Sequence, residues 1–297
     1  MSRQLRVVIV VSVIAALTAV GQGQVTSNVL ERVLNVRVNA GTDNEGTATA
    51  FTIDVDGREY LITAKHVVKG LKDEDNIDVF MRGDWSSLKV KIFRCDDPID
   101  IAVLIPPHQL TVNFPLSSEG SFQFGQDAYF LGFPLGIQSP SQGANGPYPL
   151  ALIKRGTISG IIPIDVQKKA EMLLLDGYNN PGFSGGPIVF RDFAESGYVM
   201  KVTGVVSGFI PEVVPSMNEH DIASPASAGA AAKSEPWRIR QRKNGTYFEY
   251  VNNGSFVALN TGIVQGYVIG PAIDLIHEHP IGPEVKDLPG NNPAATP

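Results

Sequence analysis

Short apolar, β-branched runs recur from Val33 to Ile269, each about one strand long, each bounded by turn residues, with no long stretch of helical period. Such a chain has to bury itself through sheets. One group runs through Val33–Val38, Thr47–Val55, Tyr60–Thr63, Ile77–Met81, Leu88–Phe93 and Ile101–Ile105. Six strands of this length suit a small closed barrel. A second group, Ala128–Leu131, Leu150–Ile161, Met172–Leu175, Pro187–Phe190, Val199–Val206 and Ile263–Ile269, supplies about six more. The expected architecture is all-β: two six-stranded antiparallel barrels, one over about 30–106 and one over about 124–275. Pro106-Pro107 and the polar stretch Ser117–Gly125 form the joint, which puts a cleft between the barrels.

Of the 297 residues, 43% are hydrophobic and 18% charged, enough apolar material for a large core. Cys95 is the sole cysteine, so packing rather than an internal disulfide must hold the fold, and Cys95 reads as a small core residue. A net charge of -6 gives no grip on a phosphate backbone, despite the basic stretch Arg238–Lys243, so nucleic acid is not an expected partner. Residues 1–23 read as a signal peptide: Arg3 and Arg6 precede the apolar run Val7–Val20, and small Ala19, Gly21 and Gly23 follow. That run is shorter than the roughly 20 residues a spanning helix needs. The expected product is exported, periplasmic or secreted, with no stable membrane span after signal removal.

Pro211–Pro236 is rich in Ala, Ser and Pro and reads as a mobile insertion, 211–236, in the second barrel. Asn244-Gly245 and Asn253-Gly254 read as hairpin turns. The Pro-, Gly- and Asn-rich stretch 281–297 reads as a disordered tail, which leaves 24–280 as the folded domain.

The chemistry concentrates in Pro181-Gly182-Phe183-Ser184-Gly185-Gly186-Pro187, a serine in a glycine-rich turn just ahead of the run Ile188-Val189-Phe190. Glycines allow positive φ and close backbone approach, so amides around Ser184 can point at one external atom. By itself the heptapeptide is equally an ordinary Gly-Ser loop between strands. His66 stands at the exit of the run Tyr60-Leu61-Ile62-Thr63, a rigid perch for a base, although a histidine beside apolar residues is more often structural. Asp100 enters the apolar run Ile101–Leu104, where a carboxylate needs a partner. Asp96 and Asp97 are the alternatives, read as solvent-facing turn residues.

Thr63-Ala64-Lys65-His66, Asp100-Ile101-Ala102-Val103-Leu104 and Gly182-Phe183-Ser184-Gly185-Gly186-Pro187 together resemble the three catalytic blocks of trypsin-like serine proteases, in the same chain order. Arg155–Ile161, Phe130–Gly136 and Gly266–Ile273 resemble stretches of the HtrA-like bacterial branch, the last being its final barrel strand leading into a short terminal helix. The resemblance spans residue 30 to about 279. It implies two perpendicular barrels with a Ser184–His66–Asp100 triad at their interface and an oxyanion hole from the N–H groups of Gly182 and Ser184. It also implies a pocket floored by Tyr178, a substrate-pairing strand at Ser207-Gly208-Phe209, polypeptide substrates, and no cofactor or metal. No acid stands at the pocket floor, so small or aliphatic side chains are expected there rather than Lys or Arg. The 18 residues after His279 are too few for the PDZ domain that HtrA-like enzymes carry. Phe183 stands where digestive relatives have an aspartate that pairs with a newly cut N-terminus.

Three rivals remain at this stage. Gly182-Phe183-Ser184-Gly185-Gly186 also fits the G-x-S-x-G elbow of α/β-hydrolase esterases, with Asp221 or Asp274 and His277 or His279 as partners. Pro187 and the β-type run after it are wrong for that elbow, which leads into a helix. A catalytically inactive protease fold acting as a binding module is the second. A metal at His277-Glu278-His279 is the third, and the blander reading is a polar end to the terminal helix.

Overall fold

The computed structural model describes residues 25–112, 116, 118, 122–139, 148–166, 170–194 and 197–286. The signal peptide expected at 1–23 and the greater part of the tail lie outside the described residues.

Barrel one comprises β1 (Val33–Val38), β2 (Gly46–Val55), β3 (Arg58–Thr63), β4 (Asn76–Met81), β5 (Asp84–Lys89), β6 (Lys91–Arg94) and β7 (Ala102–Ile105). The sheet order is β5-β4-β1-β2-β3-β7-β6, with every pairing antiparallel. Its two edges, β5 and β6, are separated in the chain by Val90 alone, so the sheet must curl until its edges meet. The strand expected at Leu88–Phe93 is thus one strand broken at Val90, which is why the sheet counts seven.

Barrel two comprises β8 (Asp127–Gly132), β9 (Leu152–Asp165), β10 (Ala170–Asp176), β11 (Pro187–Ala194), the first part of β12 (Gly197–Ile222) and the end of β14 (Tyr247–Val268). The order β10-β9-β8-β11-β12-β14, closed by a further β10–β14 pairing, is a ring of six. β13 (Ile239–Gln241), beside β14, is the seventh strand of that sheet and stands outside the ring. A C-terminal helix, Gly270–Glu278, follows β14 with Pro271 in its first turn, where a missing N–H costs nothing.

Side chains alternate faces along a strand, and here both faces are buried. Leu34, Val36, Ala50, Leu61 and Leu104 fill barrel one, and Phe130, Ile158, Leu173, Ile188 and Val264 fill barrel two. Their neighbours Phe51, Ile53, Ile62 and Val103 turn outward into a third core shared with Tyr129, Leu131, Val189 and Val205 of the other barrel. Runs such as Ile101-Ala102-Val103-Leu104-Ile105 are therefore apolar without interruption. Each Val, Leu, Ile or Phe side chain so placed contributes about 1.5–3 kcal/mol on burial.

Residues Phe209–Ile263 form a second compact unit, distinct from the unit that holds both barrels. The insertion expected at 211–236 is accordingly drawn too short. β12 runs on through Pro211 and Pro215 to Ile222, and the returning strand β14 spans Tyr247–Val268. Prolines are compatible with this because an outer strand has one edge that needs no N–H. Asn244-Gly245 does make a hairpin turn, with Arg242 N donating to Thr246 O at 2.8 Å. Asn253-Gly254 does not. It is a kink inside β14, with Gly254 at φ +82° and Asn253 Oδ1 accepting from Ser255 N and Oγ.

The first residues of the expected tail are also ordered. Glu59 N donates to Pro283 O and Val285 N to Gly57 O, both at 2.9 Å, so 281–286 lies along the β2–β3 hairpin. A proline-rich stretch can do this because its carbonyls still accept. Cys95 lies in the shared core at 8% exposure. Burial pushes its thiol up to about 12; the Lys65 ammonium opposes this, and Asp96, Asp274 and Glu278 add to it. Iodoacetamide at about pH 8 should leave Cys95 unmodified in the native protein and alkylate it in urea. Alkylation of the native protein at the rate of a free thiol would place Cys95 at the surface.

Candidate active site

β3 and β7 are antiparallel partners with Thr63 opposite Ala102, so the exit of one strand and the entrance of the other share one rim of barrel one. His66 follows Thr63 by three residues and Asp100 precedes Ala102 by two, which brings them together. The Asp100 carboxylate is held on both oxygens: Oδ1 accepts the His66 backbone N–H at 2.8 Å, and Oδ2 lies 2.7 Å from His66 Nδ1. With Nδ1 carrying the proton, the neutral ring leaves Nε2 as a bare acceptor. Half of the His66 side chain is exposed (48%), against 16% of Asp100. Burial acts to raise the Asp100 carboxyl, but hydrogen bonds from the His66 ring, the Ser207 hydroxyl and the His66 amide, with attraction to His66, hold it below the usual carboxylate value.

Ser207 Oγ donates to Asp100 Oδ2 at 2.5 Å, and the Ser207 carbonyl accepts from Ser184 Oγ at 3.0 Å. Ser207 was expected only as part of a substrate-pairing strand; its hydroxyl completes the carboxylate's shell. The Ser184 hydroxyl rests on that carbonyl rather than on the His66 ring, and such contacts commonly tighten only with substrate in place.

Ser184 follows a turn, Asn180-Pro181-Gly182-Phe183, closed by Phe183 N donating to Asn180 O at 3.3 Å. Proline second and glycine third, with Gly182 at φ +103°, is the type II pattern. The Pro181 carbonyl accepts from Leu135 N at 2.8 Å and the Gly182 carbonyl from Thr49 Oγ1 at 2.7 Å. Among the described residues, no protein acceptor takes the N–H of Gly182 or of Ser184. Phe183 anchors the turn, fully buried and edge-on to Phe130 at 5.2 Å between ring centroids. Gly185, at φ +85°, lies so close to barrel one that a Cβ would run into the Thr49 carbonyl and the Thr63 hydroxyl.

Tyr178 is 57% exposed, its ring 5.6 Å from Lys154 Nζ, which donates to Tyr178 O and Asn180 Oδ1. Lys154 escaped the sequence reading because nothing local marks a strand lysine that reaches a turn 26 residues on. Gly208 O accepts from Asn179 Nδ2 at 2.8 Å, and Phe209 opens the second unit. Asp97 is the exposed partner of Lys65 at 2.7 Å. His279 stacks on Phe93, His277 faces Asp56 at 3.6 Å and Asp221 pairs with Arg242, so both late histidines and one of the two acids that an esterase would need are engaged elsewhere. Among the described residues, no group of three or more His, Cys, Asp or Glu is placed to hold a metal, and no helix is long and apolar enough to cross a membrane.

Two closed antiparallel barrels, with a His–Asp pair on one and a serine turn on the other, define a trypsin-like protease fold. Residues 48–194, which contain all three of those side chains, match the family model described as the trypsin-like peptidase domain. Among the solved structures similar to it are the active form of the Rv3671c protease from M. tuberculosis (22% identity over 61% of this chain and 72% of that one, TM-score 0.43) and a mutant, inactive form of the same protein (18%, 76% and 83%, 0.41). Another is the apo MamO protease domain from Magnetospirillum magneticum (15%, 84% and 97%, 0.43). No curated protein matches.

Two outcomes are expected from this geometry. Asp100 has a lowered folded-state pKa, so its contribution to stability is present above the ordinary value of about 3.9 and is lost as pH falls through the lowered one. Ser207→Ala removes one donor and should move that loss, and the Asp100 carboxyl titration seen by carbon-13 NMR, to higher pH. An unmoved titration would mean that the hydroxyl is not coupled to the carboxylate. Gly185→Ala should cost about 1–3 kcal/mol in urea unfolding by forcing the barrels apart, and a neutral result would contradict the close approach.

Proposed function

We propose that the protein is a serine endopeptidase, a reading carried by the His66 Nδ1–Asp100 Oδ2 contact of 2.7 Å beside the Ser184 turn. A neutral hydroxyl is a weak nucleophile, so Ser184 Oγ attacks the scissile carbonyl as His66 Nε2 takes its proton. Asp100 fixes the ring's tautomer and offsets the charge of the imidazolium without taking the proton itself. The carbonyl oxygen becomes an oxyanion facing the N–H groups of Gly182 and Ser184. The imidazolium then protonates the leaving amine, the acyl-enzyme forms, and water, deprotonated by the same histidine, releases the acid product.

A fluorophosphonate tests this directly. The adduct should map to Ser184, disappear in His66→Ala and persist when His277 and His279 are both replaced by alanine. Peptide hydrolysis should fall by about 10⁶ in Ser184→Ala. A folded wild type that neither labels nor hydrolyses peptides would leave an inactive binding module, and labelling that depends on the late histidines would favour an esterase.

The small or aliphatic preference rests on the absence of an acid at Tyr178. A peptide library should be cut mainly after such residues, and cleavage chiefly after Lys or Arg would reject it. Export rests on Arg3, Arg6 and the run Val7–Val20; an N-terminus retained in the cytoplasmic fraction would exclude it.

A further inference from the structure

β2 places Thr49 in the row Thr49, Phe51, Ile53, whose other members are fully buried in the core shared between the barrels. A hydroxyl in that row is costly unless both its roles are filled. At Thr49 they are. Oγ1 donates to the Gly182 carbonyl at 2.7 Å and accepts the Phe133 N–H at 3.0 Å, while the backbone N–H of Thr49 donates to the Ser184 carbonyl at 3.0 Å and its carbonyl accepts from Thr63 Oγ1 at 2.8 Å. One fully buried residue of barrel one thus holds the carbonyls of both residues whose N–H groups would meet an oxyanion.

The Gly182 N–H lies in the Pro181–Gly182 peptide plane, whose setting is tied to that of the Gly182–Phe183 plane on the other side of the residue; the Ser184 N–H lies in the Phe183–Ser184 plane, whose carbonyl accepts from Gly186 N at 2.9 Å. The plane between Gly182 and Phe183 is held by Thr49 Oγ1. The plane between Pro181 and Gly182 is held by Leu135 N on the Pro181 carbonyl, which turns the Gly182 N–H to the opposite side. Leu135 is itself set by a tight turn in which Gly136 N donates to Phe133 O and Ile137 N to Pro134 O. The first amide of that turn is Phe133 N, the one that donates to Thr49 Oγ1. The same hydroxyl therefore holds one plane directly and the other through the Phe133–Gly136 turn. The contact is backbone against backbone, since a Cβ on Gly182 would meet Phe133 O, Leu135 N and Pro134 Cα.

We propose that Thr49 is a positioning residue that keeps the Gly182 turn with its N–H outward in the free protein, so that barrel one presets the anion site of barrel two without a new N-terminus or an activating partner. The idea rests on the peptidase reading above and extends it to how that site is assembled. Hydrogen bonds already made in the resting state need no reorganisation when charge develops, which is the condition under which such donors accelerate acyl transfer most.

The test compares Thr49→Val, which keeps the shape and deletes the hydroxyl, with Thr49→Ser, which keeps the hydroxyl. Thr49→Val should lower kcat on a peptide substrate by about 10- to 100-fold, below the cost of losing a donor outright, with KM within about twofold. Affinity for a peptide aldehyde, whose adduct carries the oxyanion, should fall by a like factor, and Thr49→Ser should restore both. A merely structural role would lower the melting temperature and leave kcat and aldehyde affinity intact in the folded fraction, which overturns the proposal. Thr49→Ala, which only removes atoms, is read the same way should the valine variant not fold. Crystal structures of the variants supply a readout independent of activity: a flipped Pro181–Gly182 peptide supports the pin, and an unchanged one overturns it. An inactive wild type would end the peptidase reading while leaving that structural comparison decisive for Thr49.

Discussion

A carboxylate only 16% exposed, Asp100, needs donors from whatever surrounds it, and those it finds come from different parts of the chain. The His66 ring and amide arrive from the exit of β3, and the Ser207 hydroxyl arrives from β12 of the other barrel. Hydrogen bonds to a charged group contribute about 1.5–3 kcal/mol each, and leaving one such donor site empty costs comparably. Satisfying Asp100 therefore closes the barrels on one another at one rim. It also fixes the tautomer of His66 and brings the Ser207 carbonyl to Ser184. Stability and the candidate chemistry depend on the same contact.

The seam continues from there through hydrogen bonds and packing. With no second cysteine, the barrels are held by a shared apolar core and by a row of backbone contacts in which Thr49 and Gly185 approach closely. The Phe183 ring is buried against Phe130, so the turn before the serine is anchored by packing.

The placement of His66, Asp100 and Ser184 at strand ends was legible because each borders an apolar run, while their candidate roles came from the resemblance of the three blocks taken together. The two barrels were legible in the spacing of such runs. What could not be read depends on partners far away in the chain. The Ser207 hydroxyl meets Asp100 across 107 residues and the Thr49 hydroxyl meets Gly182 across 133. Thr49 left one faint signal, a polar residue in the Phe51, Ile53 row. The insertion was drawn too short because its Ala, Ser and Pro bias stops at Pro236 while the unit runs on to Ile263, and its first part was not read as strand because Pro211 and Pro215 argue locally against one, whereas an outer edge tolerates them. Asn253-Gly254 read as a hairpin because an Asn-Gly dipeptide looks alike in a turn and in a strand kink, where only Gly254 takes positive φ.

If the protein is the peptidase proposed above, the seam between the barrels presents a nucleophile and an anion site together. The most direct measurement is a crystal structure of the protein reacted with a peptidyl boronic acid. Boron should be bonded to Ser184 Oγ, with one boronate oxygen at about 2.7–3.1 Å from the backbone nitrogens of both Gly182 and Ser184 and His66 Nε2 beside the other. Boron elsewhere, or an oxygen turned away from Gly182 with the Pro181–Gly182 peptide flipped, would contradict that arrangement.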